Sequence, residues 1–253
     1  MHATVIAIVM FALMFGAVLG AFGLRSLLPE HHLSNESRDS VRVGFALLAT
    51  LTALVLGLVV SSAKNSFDAL NAAVKHSAAD VLSLDRALAR YGPETAEVRA
   101  ELRRAVAHRV VMIWPADGAR RATLDPFASA RPVEDLVEKI RSLSPKTESQ
   151  QWYRTRALAL SEALLDARWS VFADLNASIP VPFLATLGIW LTIAFMSFAL
   201  FAPRNATVLV AFSMCALSVA GAVFLVLEMD MPFEGFISVS PDPLRFALEH
   251  LNK

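Results

Sequence analysis

The residue types that most often bind metals are scattered along this chain. Of its six histidines only His31 and His32 are adjacent, and Glu30 and Glu36 lie near them. These side chains are metal ligands in many proteins, but neighbouring side chains in an extended segment point in opposite directions. A site would need both rings folded back onto one ion. We therefore interpret this segment as a solvated loop and expect no metal site.

Motifs for covalent or cofactor chemistry are missing from the sequence as well. It has no serine in a nucleophile elbow, no glycine-rich phosphate loop, no paired cysteines and no zinc-protease helix motif. The single cysteine, Cys215, lies inside an apolar stretch, which is typical of an inert packing residue. Lys and Arg total 23, and so do Asp and Glu, so no basic surface for nucleic acid is indicated. We expect no enzyme, no catalytic residues, no cofactor and no nucleic-acid partner.

One set of residues with helical spacing is typical of a pore wall. This polar stripe consists of Thr50, Leu54, Gly57, Ser61 and Lys64, with Asp68 one turn further on. Hydroxyl groups and glycine along one helix face suit a path for ions, and they suit a face of interhelical hydrogen bonds equally well. A pore-lining role for the polar stripe is therefore a hypothesis.

The elements that position this stripe are membrane spans. The composition is 55% hydrophobic and 18% charged. Four stretches contain no Asp, Glu, Lys or Arg, and each reaches the roughly 20 residues that cross a bilayer. We predict spans at about 3–24, 43–63, 182–202 and 206–227. The first lacks the basic start and the cleavage site of a signal peptide, so we expect it to be retained.

The polar insert between spans two and three is predicted to be helical. Its apolar residues recur three and four positions apart from Phe67 to Tyr91, with Ser77 as the polar exception. No proline separates this seam from span two, so one helix is expected from about Val41 to Tyr91. Further helices are expected at about 93–113, 132–143 and 147–175, with a loop around Asp117-Gly118 and Asp125. The seam predicts packing inside the insert, with self-association between subunits as the alternative.

These elements define an all-α integral membrane protein in four segments. We assign 1–63 and 179–227 to two transmembrane hairpins, 64–178 to the helical insert and 228–253 to a membrane-surface segment. Small residues, above all Gly16 and Gly20 after Ala12, and also Ala216 and Ala220, predict close helix packing.

The residues after span four resemble the closing motif of a known family. The run from Glu228 to Leu244 includes Asp230, Pro232, Phe233, Gly235, Ser240 and Pro241. Together with Trp114-Pro115 and Asp166-Ala-Arg168, this run resembles the bestrophin-like family of bacterial four-span proteins of unknown function. We expect its acidic residues to form a solvated turn rather than a calcium site, and Phe233 and Phe236 to anchor it at the membrane surface.

The resemblance extends more remotely to the bestrophins, which are pentameric anion channels. It implies a homo-oligomer, a pentamer, that passes small ions, with anions as the expected class, along an axis lined by span two. Bestrophins have pore-lining aromatic residues in this span, whereas the present chain has only Phe45 there. The alternative is a non-conducting scaffold or sensor whose helical stalk binds a cytoplasmic partner. We expect the chain in the bacterial inner membrane, with both termini and the cysteine-free insert in the cytoplasm.

Overall fold

A computed structural model describes residues 3–25, 27, 35–115, 126–175, 181–233 and 235–253. Within these ranges the regular structure is helical and contains no strand, which confirms the predicted all-α class. The α-helices are α1 Ala3–Leu24, α2 Asn35–Tyr91, α3 Ala96–Ile113, α4 Pro126–Ser142, α5 Glu148–Leu175, α6 Val181–Leu200, α7 Ala206–Met229 and α8 Asp242–His250. A 3₁₀ helix, Pro93–Thr95, precedes α3.

Four of these helices are long and apolar enough to cross a membrane, which confirms the predicted spans. They are α1, the part of α2 that begins at Val41, α6 from Pro182, and α7. Helices α6 and α7 are joined by a short loop, and the Asn205 side chain accepts a hydrogen bond from the Val208 amide at 2.9 Å. This N-cap satisfies an amide that the first turn of α7 would otherwise leave unpaired. The chain is an integral membrane protein.

The second helix is uninterrupted, as the absence of proline predicts. It ends at Tyr91 because Gly92 has φ +143°, a conformation that side chains disfavour, and Pro93 then begins the 3₁₀ helix. Helix α4 differs from the prediction, since it begins at Pro126 and contains Pro132 as an internal residue. Asp117, Gly118, Asp125, Glu30, His31 and His32 lie outside the described residues.

Contacts divide the chain into two compact units. The first unit comprises residues 1–66 and 179–236. In it, α1 packs on α6 and α7 through a buried face of Ala3, Ala7, Met10, Met14, Val18 and Ala21. Gly188 provides the close approach, because a Cβ atom added there would lie 3.0 Å from the Met10 sulfur. Methyl or methylene groups at this position would force the two helices apart.

The two predicted small-residue faces differ in burial within this unit. Ala216 and Ala220 are buried in the core of α7, as expected. Gly16 and Gly20 are exposed, and no heavy atom lies within 4 Å of a Cβ built at either glycine. Among the residues that the structure describes, the close packing predicted for these two glycines does not occur. Contact with another subunit stays a prediction.

Two arginines connect the hairpins at one end of the first unit. Arg25 Nη1 donates to the Ala202 carbonyl at 2.6 Å, and Arg204 donates to the Phe22 carbonyl. Both acceptors lie at the C-terminal ends of spans, where carbonyls lack partners in their own helix and the helix dipole attracts cations.

The second unit comprises residues 67–178 and 237–253. Its core contains the predicted seam, since Leu70, Val74, Ser77, Val81, Leu84, Leu88 and Tyr91 are all buried and Phe67 is partly buried. Helices α3, α4 and α5 add Val98, Leu102, Val106, Val110, Leu136, Val137, Ile140, Ala157, Leu160 and Leu164. The seam thus packs inside the chain, as expected, instead of facing outward for self-association.

The terminal helix α8 belongs to this second unit. It packs on α3 through Leu244 and Ala247, and Leu251 just after it is buried as well. The buried Asp85 accepts a bidentate hydrogen bond from Arg99, at 2.7 and 3.0 Å, and lies beside the Asn252 amide. The chain terminus is thereby attached to α2 and α3. The membrane-surface position predicted for residues 228–253 stays a prediction.

Candidate functional site

The membrane part of α2 has a packed face and an open face. Thr52, Val59 and Ala63 are buried, and Val59 and Ala63 pack against Val226 of α7. At 3.6 residues per turn, residues 50, 57 and 61 lie roughly opposite this face. The fold therefore turns the polar stripe away from the core of its own subunit.

Every member of the polar stripe is exposed on the single chain. This holds for Thr50, Leu54, Gly57, Ser61 and Lys64. The Thr50 hydroxyl donates to the Ala46 carbonyl at 2.9 Å, which leaves its oxygen as an acceptor on the open face. The structure thus brings the five residues onto one exposed surface of α2.

A second row of exposed side chains runs beside the polar stripe. This leucine row consists of Val43, Leu47, Leu51, Leu54 and Leu58, which are 55–66% exposed. Leu54 belongs to both rows. Sequence reasoning missed this row because most positions of a membrane span are apolar, so the sequence alone does not reveal which of them the fold covers. The open face thus has a small, polar half and a bulky, apolar half.

Lys64 marks the end of the polar stripe at the boundary between the two units. It is exposed, and Asp68 is exposed one turn further along α2. Residues four apart on a helix are neighbours, so opposite charges at this spacing attract each other. Both residues have interaction partners in the structure. Lys64 is the charged residue nearest to Ser61 along α2.

The family motif after α7 forms a tight turn, here called the C-terminal turn and comprising residues 228–236. Glu228 is only 6% exposed, and its Oε2 accepts a hydrogen bond from the Phe236 amide at 2.6 Å. Gly235 has φ +87° and packs directly against this carboxyl group. The expectation of a solvated turn is wrong for Glu228. The chain folds back over its carboxyl group, and the Phe236 amide takes the place of water as the hydrogen-bond donor.

The other motif residues of this turn are structural too. Asp230 is the C-cap of α7, and its amide donates to the Val226 and Glu228 carbonyls. Pro232 and Phe233 are buried, whereas Phe236 is 85% exposed and contacts Phe224. The anchoring role predicted for the two phenylalanines thus fits the exposure of only one of them within the subunit.

In the second unit, the rest of the motif begins the terminal helix. The Ser240 hydroxyl oxygen accepts a hydrogen bond from the Asp242 amide at 3.1 Å, and Pro241 immediately precedes α8. Trp114, the other family landmark, donates from Nε1 to the Val239 carbonyl at 2.9 Å. This long-range bond joins the tryptophan to the residue that precedes the Ser-Pro pair.

The remaining landmark includes a partly buried arginine pair. Arg168 Nε is buried and has no hydrogen-bond partner among the described residues. Burial, and secondarily the positive charge of Arg168, lower the pKa of Arg109 to about 10. Burial also lowers the pKa of Arg168, against the opposing effect of Glu134. Sequence reasoning missed this pair, which is 59 positions apart and is brought together by α3 and α5.

Replacement of Arg109 by methionine is expected to stabilise the protein by about 1–2 kcal/mol. Its folded-state pKa lies below the ordinary value of an arginine, so the charged guanidinium destabilises the fold at every pH below about 10. This penalty diminishes as the pH rises above about 10 toward the higher pKa of the unfolded state. Thermal unfolding in detergent should show a higher midpoint for Arg109→Met. The exposed Arg104→Met on the same helix is the control, and an equal rise there would attribute the effect to added hydrophobicity.

The structure also describes the residues behind two expectations from the sequence, those on metal binding and on Cys215. The described residues contain no group of three or more His, Cys, Asp or Glu side chains placed to bind an ion. Cys215 is exposed on α7, so it is not the packing residue that its position in an apolar stretch suggested.

The described geometry defines a class of protein: an integral membrane protein with four spans and a helical insert between the second and third. The sequence matches the profile of the Bestrophin-like domain over residues 12–244, and the chain belongs to this family. The predicted membership of the bestrophin-like family is thereby confirmed.

Solved structures with the same fold include two crystal structures of a bacterial bestrophin homologue from Klebsiella pneumoniae, each with one substitution to threonine. They match with TM-scores of 0.65 and 0.66 at 16% and 14% sequence identity, and each alignment covers 96% of both chains. Identity at this level shows the shared fold alone. No curated protein matches the chain.

Proposed function

We propose that this protein assembles into a homo-oligomeric ring, a pentamer, that conducts small ions passively along an axis lined by α2. The observation that supports this most is the orientation of the polar stripe. Its residues are exposed on the face opposite to the one that packs on α7. Membership of the Bestrophin-like family and the fold shared with a bestrophin homologue support the same function.

A ring geometry also accounts for the two halves of the open α2 face. Small and hydroxyl-bearing residues tolerate water along a central path, whereas the leucine row suits a neighbouring subunit or lipid. In this arrangement one copy of the chain supplies one wall of the path. The partners are therefore further copies of the chain, the bilayer and the conducted ions.

Anions are the class that we expect to pass. Lys64 is the last residue of the polar stripe, about one turn beyond Ser61, so a ring of copies places a ring of ammonium groups at one mouth of the path. Positive charge there concentrates anions and repels cations by its local potential, an effect that salt screens. We place the mouth on the cytoplasmic side of the bacterial inner membrane, since the insert contains no cysteine.

Conduction is tested with purified protein in planar bilayers under a salt gradient. The wild type is expected to show a reversal potential displaced toward the anion equilibrium potential. Lys64→Glu changes the charge of each subunit by two units and should move the reversal potential toward the cation equilibrium potential. Ser61→Leu should lower the single-channel conductance several-fold by narrowing the path.

A matched control is available at the next position. Ser62 is also exposed, but it lies about 100° further around the helix. Ser62→Leu is therefore expected to leave the conductance unchanged. A wild-type ring without current under any gradient or voltage would favour the non-conducting scaffold, which binds a cytoplasmic partner. Current with unchanged selectivity in Lys64→Glu would contradict the lining assigned to α2.

A further inference from the structure

The first unit contains a cavity of about 430 Å³ that is partly open to its surroundings. It lies between the beginning of the α2 span, the end of α6 and the beginning of α7. Its lining includes four phenylalanine rings, Phe45, Phe198, Phe201 and Phe212, together with Ser197 and Arg42. The volume is within the range of pockets that hold small ligands, and such pockets are mostly apolar with a few polar groups.

The position of the cavity indicates what surrounds it. Arg42 is the last charged residue before the charge-free stretch of α2, and Pro203, which also lines the cavity, belongs to the loop between α6 and α7. One end of the cavity therefore lies where apolar spans meet their polar loop. This is the level at which lipid phosphates lie in a bilayer.

The arginines at this end favour an anionic ligand, and Asp39 precedes Arg42 by about one turn of α2. Arg25 and Arg204 lie at the same end and donate to span carbonyls, as described above. Arg42 differs from them because it is the arginine that lines the cavity, with its side chain exposed. Guanidinium groups bind phosphates through paired N–H donors, and basic pockets between spans bind anionic lipid headgroups.

We propose that this cavity binds an anionic phospholipid, with the phosphate at Arg42 and one acyl chain among the phenylalanine rings. The phenylalanine rings give the acyl chain an apolar surface inside the cavity. Arg42 gives the headgroup a charge partner at the correct depth. This assignment does not depend on ion conduction. A lipid in the cavity would contact both transmembrane hairpins, so the lipid composition of the membrane would affect their packing.

The test is retention of lipid by the whole protein. Purified protein is delipidated and incubated with phosphatidylglycerol or with phosphatidylcholine of identical acyl chains, and the lipids that remain bound are counted by native mass spectrometry. The wild type should retain phosphatidylglycerol about fivefold better than phosphatidylcholine, as one added cation near a membrane surface implies. Arg42→Gln should abolish this preference and keep some binding of both lipids.

Filling the cavity separates it from other lipid contacts. Ser197→Trp should lose both lipids, whereas Ser218→Trp, at an exposed serine of α7 outside the cavity, should retain them. Arg90→Gln, an exposed arginine of the second unit, is the control for charge. Equal retention of the two lipids by the wild type overturns the proposal, and so does a preference that survives Ser197→Trp. If the wild type retains no lipid and Ser197→Trp loses the oligomer, the cavity belongs to a contact between subunits and the proposal is overturned.

Discussion

Replacement of Gly235 by alanine is expected to destabilise the protein by about 3 kcal/mol. The residue has φ +87°, which costs an L-residue roughly 1–2 kcal/mol. The added Cβ would also lie 2.9 Å from the Glu228 carboxyl carbon and closer still to its Oε2. The carboxylate must then move away from the Phe236 amide, and a hydrogen bond to a charged group contributes about 1.5–3 kcal/mol.

Thermal unfolding in detergent measures this loss as a fall of about 10 °C in the midpoint. Gly221→Ala is the matched control, because no heavy atom lies within 4 Å of its added Cβ and its backbone is helical. Alanine is a better helix former than glycine, so this control should melt at the wild-type midpoint or above it. A background of Glu228→Ala removes the colliding atoms, and there Gly235→Ala should cost only its backbone term. Equal melting of Gly235→Ala and wild type would refute the tight turn.

The double substitution Gly16→Leu and Gly20→Leu is expected to convert the oligomer into monomers. Without charges to pair in lipid, spans associate through close contact of small residues, and two leucine side chains would hold such helices apart. The structure supports this prediction, since no heavy atom of the described residues lies within 4 Å of a Cβ built at either glycine. The fold of each subunit should therefore survive while the assembly is lost.

Native mass spectrometry gives the subunit number, and circular dichroism and thermal melting report the fold of the same sample. Gly221→Leu is the control, because it adds the same bulk to an exposed glycine of another span. It should keep the wild-type subunit number. Retention of that number in the double variant would remove α1 from the subunit contact and favour another exposed apolar face, such as the leucine row of α2.

Local sequence properties predicted the spans and the long helix. A charge-free stretch of membrane length has few alternatives to a spanning helix, because the bilayer supplies no partners for backbone amides and carbonyls. The continuation of α2 to Tyr91 followed from the absence of proline up to Gly92. The burial of the seam was also predicted correctly. A repeat of three and four residues specifies a buried stripe wherever a partner helix is present.

The candidate site was predicted only as a set of residues. Spacing placed the polar stripe on one face of α2, but spacing does not say whether that face packs or stays open. The stripe contains Leu54, which the structure groups equally with the leucine row. The arginine pair and the bond from Trp114 to Val239 join segments far apart in sequence, and no local pattern specifies such contacts.

The sequence by itself determined that this is a four-span, all-helical membrane protein, because length, polarity and helix breakers act within one segment. Only the tertiary structure decided which face of each segment is covered. Gly16 and Gly20 look like packing residues and are exposed, whereas Gly188, which attracted no attention in the sequence, lies against Met10. Glu228 looks solvated and is buried by a turn that begins at the end of its own helix. Burial depends on which distant segments arrive at a surface, and that is a property of the packed chain rather than of any one stretch of it.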